Sequence, residues 1–224
     1  MGVRMGTAAA LAVLALIGCQ KKEQEPPIRF YGSTVVESTE PIQNEAASIP
    51  IGELPFENQD GEPVRLSGLE GSPALLSFIF TRCGMPNMCP AMTQRMAEAQ
   101  AELTEAERKR VKLISMTFDP EFDTAAVLKK YGEAYGADFE CWEFWRGTAE
   151  DVKAVMTKSL AWAEPSADGF SHNPVTVLID GDGKIIEALL SGFWDPKEAV
   201  ESLRQLLKQS EMEAADARVE TSSP

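Results

Sequence analysis

The sequence predicts an α/β fold in which helices flank a central mixed β-sheet. A continuous apolar run of strand length at residues 74–80 and a second predicted buried strand at residues 111–117 enclose a segment whose apolar side chains recur with helical spacing. Two further apolar runs, residues 175–180 and 184–190, flank an Asp-Gly-Asp-Gly turn and predict a hairpin. The strand–helix–strand order implies a parallel pair and the hairpin an antiparallel one, so the sheet is mixed.

The remaining elements follow from turn and capping residues. Residues 58–61 predict a turn, and residues 63–66 predict a short edge strand. After Pro90 the apolar spacing predicts a helix with one buried face, formed by Met92, Met96, Ala99 and Leu103. Three later helices are predicted by their first residues, which are Asp123 or Thr124, Thr148, and Asp195 with Pro196. Elements in this order predict a thioredoxin-like sandwich over residues 49–210.

The chain ends are predicted to lie outside this domain. Residues 1–18 have the pattern of a signal peptide, with Arg4 followed by an apolar run too short to span a membrane convincingly. The run ends in Leu-Ile-Gly-Cys19, which is similar to a bacterial lipobox, so we expect Cys19 to be lipidated; an ordinary secretory signal is the alternative. Residues 19–48 are then a tether, and residues 211–224 a disordered acidic tail. The protein is expected to be exported and lipid-anchored to a bacterial membrane, facing the periplasm or outer side.

The charge balance argues against anionic partners such as nucleic acid and anionic lipid. The chain has 35 acidic and 21 basic side chains, a formal net charge of -14. Nucleic acid and anionic lipid both attract clustered Lys and Arg, so neither is expected to bind this surface.

Three cysteines remain if Cys19 carries lipid. Outside the cytoplasm free thiols tend to pair, so an odd number leaves one cysteine without a disulfide partner. Cys83 and Cys89 lie close together in the chain and are the natural pair, which leaves Cys141. Because Cys141 lies beside Trp142 and near Trp145, we expect it to be packed in the core.

The segment from Cys83 to Cys89, here named the dithiol loop, joins a buried strand to a helix. Cys89 precedes Pro90 at the helix start, where the helix dipole is expected to lower the thiol pKa. The intervening residues favour turns, so the two sulfurs can approach each other. The loop also contains Met85 and Met88, as apolar residues facing a partner or as accessory thioether ligands of Cu(I).

His172, the only histidine, lies just before the strand at residues 175–180. Two thiols and one imidazole form a ligand set that selects copper, particularly Cu(I). The same thiols could instead exchange electrons as a dithiol/disulfide pair, or form a structural disulfide. Asp119, at the end of the second central strand, either orients a ligand or caps a turn before Pro120.

Several motifs in the same order resemble the SCO/SenC family of copper chaperones. The similar segments are Phe-Ile-Phe-Thr-Arg-Cys at 78–83, Cys-Pro at 89–90, and residues 58–66, 115–124, 145–148, 171–172 and 177–183. The resemblance implies that Cys83, Cys89 and His172 bind copper. It also implies a role in assembling the copper centre of cytochrome c oxidase, by delivering metal or by keeping a target's cysteines reduced, with an oxidase subunit or another copper protein as partner.

The chain departs from that family in two places. The family usually places three residues between its cysteines, whereas five lie between them here. Pro174 stands where the family commonly has another residue, and it raises the hypothesis of a cis peptide bond after Asn173. Both departures favour thiol chemistry as the alternative function. A peroxidase would need one more residue between Thr81 and Cys83, and a pure interaction domain would use the cysteines only as a staple.

Overall fold

The structure is a computed structural model that describes residues 29–30, 51–69, 71–167 and 169–221. The predicted signal peptide, Cys19 and most of the predicted tether lie outside the described residues. The strands within the described residues are β1 Arg29–Phe30, β2 Phe56–Glu57, β3 Pro63–Val64, β4 Ala74–Ile79, β5 Lys112–Thr117, β6 Trp142–Trp145, β7 Ala163–Ser166, β8 Gly169–His172, β9 Thr176–Ile179 and β10 Ile185–Leu189. The helices are α1 Cys89–Glu102, α2 Glu105–Arg108, α3 Ala125–Ala134, α4 Ala149–Lys158 and α5 Pro196–Thr221, with 3-10 turns at Ile51–Glu53 and Leu66–Leu69.

The central sheet has six strands in the order β1-β10-β9-β4-β5-β6. Strand β4 pairs in parallel with β5, and β5 in parallel with β6, while β9 runs antiparallel to β4 and to β10. All six residues of β4 are buried, which explains its continuous apolar sequence. The mixed sheet flanked by helices confirms the predicted fold class.

The helices cover the sheet through the apolar faces that the sequence predicted. Helices α1 and α5 pack against each other and against β4. Met92, Met96 and Ala99 of α1 are buried as expected. Helix α3 approaches β6 closely at Gly132, where a Cβ atom would lie 2.7 Å from the ring of Phe144. Thr124 and Thr148 cap α3 and α4, each accepting a hydrogen bond from a backbone N–H of the first turn.

Among the described residues, five strands were not predicted, namely β1, β2, β6, β7 and β8, and one was misplaced. Strand β6 has only four residues, which are too few to show a clear period in the sequence. The β7–β8 hairpin is polar and largely exposed along β7, so it lacks an apolar pattern. Strand β3 pairs with β2 in a separate two-stranded sheet and is not an edge of the central sheet.

The chain ends also differ from expectation. The tail predicted to be disordered from residue 211 is helical as far as Thr221, because α5 continues through a sequence rich in Ala and Glu, both good helix formers. Glu211 also pairs with Arg110 at 2.6 Å. Within the predicted tether, β1 adds to the edge of the sheet by pairing in parallel with β10.

One ion pair joins α2 to α5 and makes the fold sensitive to acid. The Arg204 Nε atom lies 2.7 Å from a carboxylate oxygen of Glu107, and the Thr104 backbone N–H donates to the same side chain. The Arg204 guanidinium, together with the Thr104 N–H, lowers the pKa of Glu107 from its usual 4.5 to about 2.

We therefore expect Glu107→Gln to remove an acid-dependent part of the stability. A carboxylate whose folded pKa is depressed stabilises the fold above its unfolded pKa, and this stabilisation is lost as pH falls from about 4.5 towards about 2. Gln at this position keeps the capping geometry. In urea unfolding at stepped pH, wild type and variant should differ most above pH 4.5 and converge near pH 2. Glu98→Gln, which breaks an exposed ion pair on α1, is the control. A difference constant across pH would contradict the prediction.

Candidate metal centre

The dithiol loop turns back on itself between β4 and α1. The Cys83 N–H donates to the Phe80 carbonyl at 3.2 Å, and the Met88 N–H donates to the Met85 carbonyl at 3.0 Å. Helix α1 then begins at Cys89, with Pro90 in its first turn. These two tight turns bring the ends of the loop together despite its five intervening residues.

The structure brings together the three predicted ligands. The thiol sulfurs of Cys83 and Cys89 and a ring nitrogen of His172 all lie within 4.8 Å of one another. The Cys89 sulfur is 3.6 Å from Nε2 of His172. The three side chains are buried, with exposed fractions of 9% for Cys83, 0% for Cys89 and 7% for His172. Two thiols and an imidazole that converge in this way can enclose a single soft metal ion.

The orientation of His172 leaves its Nε2 atom available to bind a metal ion. Its Nδ1 atom lies 3.4 Å from the carbonyl oxygen of Asn173. Because a carbonyl oxygen only accepts hydrogen bonds, this contact requires the proton on Nδ1. Nε2 then carries the lone pair, and it is the atom that faces Cys89. Metal-binding histidines are commonly held in this way by a backbone carbonyl.

Two phenylalanine rings pack against the imidazole, and a third ring packs against both of them. The centroids of Phe80, Phe118 and Phe170 lie 5.3 to 5.4 Å apart, and the His172 ring packs against Phe80 at 5.7 Å and Phe118 at 5.1 Å. Sequence reasoning did not identify this group. Phe80 and Phe118 directly follow β4 and β5, so the parallel pairing of those strands was the available signal.

Burial dominates the electrostatics of the ligands. Desolvation raises the pKa of the Cys89 thiol far above its usual value, and the neighbouring Cys83 adds to this rise. The expectation that the start of α1 lowers this pKa was therefore wrong, because loss of hydration outweighs the helix dipole at a fully buried sulfur. Burial also lowers the pKa of His172, which favours the neutral imidazole that binds metal.

Asp123 anchors the start of the dithiol loop. Its carboxyl group is fully buried and accepts hydrogen bonds from the Thr81 N–H, the Thr81 hydroxyl and the Thr117 hydroxyl. Thr81 lies two residues before Cys83, and Thr117 is the last residue of β5. The carboxyl group thus ties the loop to the neighbouring strand. From the sequence, Asp123 is a candidate helix cap, a position that Thr124 occupies in the structure.

Asp119 contacts the loop indirectly. Its carboxylate pairs with the Arg82 guanidinium at 2.6 Å, and that guanidinium lies over the Phe122 ring, 4.1 Å from its centroid. Asp119 therefore holds the residue next to Cys83, and among the described contacts its carboxylate bonds to Arg82 rather than to a predicted ligand.

Asn173 and Pro174 shape the other side of the centre. The Asn173 side chain accepts from the Trp162 N–H at 2.8 Å and donates to the Leu160 carbonyl at 2.9 Å. The described residues contain no cis peptide bond, so the hypothesis of a cis bond before Pro174 was wrong.

Cys141 stands apart from the centre. It is fully buried in the core, and burial raises the pKa of its thiol to about 11. The expectation of a packed, unreactive cysteine is consistent with this environment.

The signature of one protein family spans most of the domain. The SCO1/SenC family matches residues 44–208. The chain belongs to the SCO1/SenC family. This membership agrees with the geometry of the two cysteines and the histidine, and confirms the resemblance seen in the sequence.

Three solved structures of this family illustrate the similarity. The chain is 31% identical to BsSco, described as a member of the Sco family of cytochrome c oxidase assembly proteins with a disulfide switch, with a TM-score of 0.60 over 69% of this chain and 91% of that one. It is 26% identical to a SCO1/SenC family lipoprotein from Bacillus anthracis, with a TM-score of 0.61 over 68% and 92%. It is 25% identical to ScoI from Bradyrhizobium japonicum with copper bound, with a TM-score of 0.55 over 68% and 96%.

In the part of the chain that the structure describes, no helix combines the length and apolar character needed to cross a membrane.

We expect Asp123→Ala to destabilise the domain strongly. The substitution leaves the Thr81 N–H and two hydroxyls without their acceptor in a buried place, which should cost about 3 kcal/mol. Urea unfolding of the reduced protein measures the change. Asp60→Ala, which removes an exposed partner of Lys129, is the matched control and should cost less than about 1 kcal/mol. Equal losses for the two variants would show that Asp123 does not anchor the loop.

Proposed function

We propose that this protein binds copper through Cys83, Cys89 and His172 and delivers it for assembly of the copper centre of cytochrome c oxidase. The observation that carries the proposal is the convergence of two sulfurs and one imidazole nitrogen within 4.8 Å in a buried place. The copper-bound ScoI relative and the oxidase-assembly role of the BsSco family support the choice of metal and of task.

The donor set favours copper as cargo. Thiolate sulfur is a soft ligand, and two thiolates with an imidazole suit Cu(I) better than the harder cations that prefer carboxylates. Structural zinc sites usually have four protein ligands, whereas the group found among the described residues has three. Binding requires that the thiol protons leave, and the metal's positive charge then compensates the buried thiolates.

Exposed apolar side chains surround the centre and support a partner-facing role. Six of the seven large apolar side chains that are exposed in the described part of the chain belong to loops near the ligands. Leu160 and Trp162 are bonded through their backbones to Asn173, and Phe122 lies under Arg82. Leu190 and Phe193 flank Gly192, which lies against Asn87 and Pro174. Apolar groups concentrated in this way typically mark a protein-binding surface.

A second candidate function is thiol–disulfide exchange. The proximity of the two loop sulfurs favours it, as does the disulfide switch described for BsSco. In that reaction the two thiols of Cys83 and Cys89 would lose two electrons and two protons to a partner disulfide, which becomes a dithiol. This activity would need neither copper nor His172.

The place of work is proposed from the N-terminal sequence. Lipid attached to Cys19 would hold the domain at the outer side of a bacterial membrane, and residues 20–48 would form the tether. The Bacillus anthracis relative, described as a lipoprotein, supports this arrangement.

Copper titration of the reduced protein tests the proposed function. We expect one Cu(I) per chain, bound tightly enough to compete with a Cu(I) chelator, and loss of at least tenfold in affinity for Cys83→Ser, the change produced by about 1.4 kcal/mol. Cys141→Ser removes a buried cysteine outside the centre and should keep the metal. Weak binding by the wild type, with Cys83 and Cys89 cycling readily against a dithiol, would favour the reductase instead.

His172→Ala should distinguish the two oxidation states of copper. Two thiolates alone can hold Cu(I), whereas Cu(II) gains more from an imidazole ligand. We therefore expect the variant to lose more affinity for Cu(II) than for Cu(I), measured by paired competition titrations with chelators for each ion. Equal losses for both ions would contradict the assigned role of the imidazole.

A further inference from the structure

Met85, two residues after Cys83 in the dithiol loop, is an exposed thioether next to the buried ligand group. Its side chain is 46% exposed, while Cys83, Cys89 and His172 are at most 9% exposed. The Met85 side chain is therefore more accessible from solvent than the three buried side chains. Because an exposed methionine alone is unremarkable in a protein surface, its position relative to Cys83 decides what it does.

The backbone holds Met85 close to Cys83. The Cys83 sulfur lies 3.9 Å from the Met85 carbonyl oxygen, and that oxygen also accepts the Met88 N–H at 3.0 Å. The two residues are separated by Gly84 alone, so their Cα atoms lie within about 7 Å of each other. The main chain at Met85 is thus fixed by a turn, while its long unbranched side chain remains adaptable.

The chemistry of the thioether suits transient binding of Cu(I). Thioether sulfur is a soft ligand that favours Cu(I), and it is uncharged and has no proton to lose. It therefore binds more weakly than thiolate and can release the ion to a stronger neighbour. Met88, in the same loop, lacks this position because its side chain is half-buried and packs against the core.

We propose that the Met85 thioether is the outer copper ligand, which receives Cu(I) from a donor and passes it to Cys83 and then to the buried Cys89 and His172. This step rests on the copper carriage proposed above. Copper remains Cu(I) throughout. A bond from copper to the Met85 sulfur forms as a bond to the donor breaks. The Cys83 sulfur then binds copper, its thiol proton leaves to solvent, and the Met85 bond breaks. The Cys89 sulfur and the neutral His172 imidazole bind next, and the Cys89 thiol proton also leaves to solvent. Release follows the reverse order, with one proton returning to each thiol.

The test is the rate of copper exchange between the reduced protein and a small bidentate Cu(I) chelator, followed by stopped-flow absorbance without oxygen. A small chelator has no protein surface to dock, so apolar docking cannot account for the result. We expect Met85→Leu to slow loading and unloading by the same factor, about tenfold. The dissociation constant, which is the ratio of the two rates, should remain unchanged. Met85→Gln, which is polar and lacks the thioether, should show the same slowing.

Two methionine controls separate position from composition. Met88→Leu changes the same loop at a half-buried residue, and Met212→Leu changes an exposed residue of α5. Both should exchange copper at wild-type rates. Unchanged rates for Met85→Leu would overturn the proposal while leaving copper carriage intact. Faster release with weaker affinity would also overturn it, because Met85 would then be a ligand of the resting centre. Failure of the wild type to bind copper would instead refute the proposed function.

Discussion

The pairing of β4 with β5 on one side and β9 on the other determines where every group of the metal centre lies. Because β4 and β5 are parallel, the dithiol loop and the residues after β5 emerge at the same edge of the sheet. Because β9 is antiparallel to β4, the residues that precede β9 meet them there. Cys83 and Cys89 therefore meet His172 at one edge of the sheet, although more than eighty residues separate them in the chain.

The same edge also supplies the groups that hold the ligands in place. Asp123 and Asp119 follow β5 and fix the two residues that precede Cys83, through Thr81 and Arg82 respectively. Phe80 and Phe118 follow β4 and β5 and support the ring of His172. Burial and metal binding therefore favour different protonation states of the cysteines. Desolvation favours the neutral thiol and the neutral imidazole, whereas a bound soft cation would favour thiolates.

Sequence reasoning found the elements whose pattern is local. Strand β4 lies in an apolar run, β5 has the character of a second buried strand, α1 has a periodic apolar face, and Thr124 and Thr148 are caps, so each was predicted. Strand β6 is short and pairs with the distant β5, and the β7–β8 hairpin is short and polar, so neither has a clear local pattern. Cys83, Cys89 and His172 were also singled out from the sequence, since cysteine and histidine are rare in it and point to metal or redox chemistry, and the structure brings these three residues together.

What the sequence could not show depends on burial and on contacts between distant residues. The helix-start position of Cys89 suggested a lowered pKa, but full burial of the sulfur, visible only in the fold, has the larger effect. Asp123 looks like an ordinary capping residue until Thr81 and Thr117 are seen to donate to it. Pro174 suggested a cis bond, whereas the described residues contain no cis peptide bond. The exposure of Met85 likewise follows from how the loop folds.

The central claim is that Cys83, Cys89 and His172 together surround one copper ion. X-ray absorption spectroscopy at the copper edge of the Cu(I)-loaded, reduced protein tests it most directly. We expect a first shell of two sulfur atoms and one imidazole nitrogen, with the imidazole signal absent in His172→Ala and one sulfur fewer in Cys89→Ser. A first shell of nitrogen and oxygen atoms only, unchanged in both variants, would contradict it.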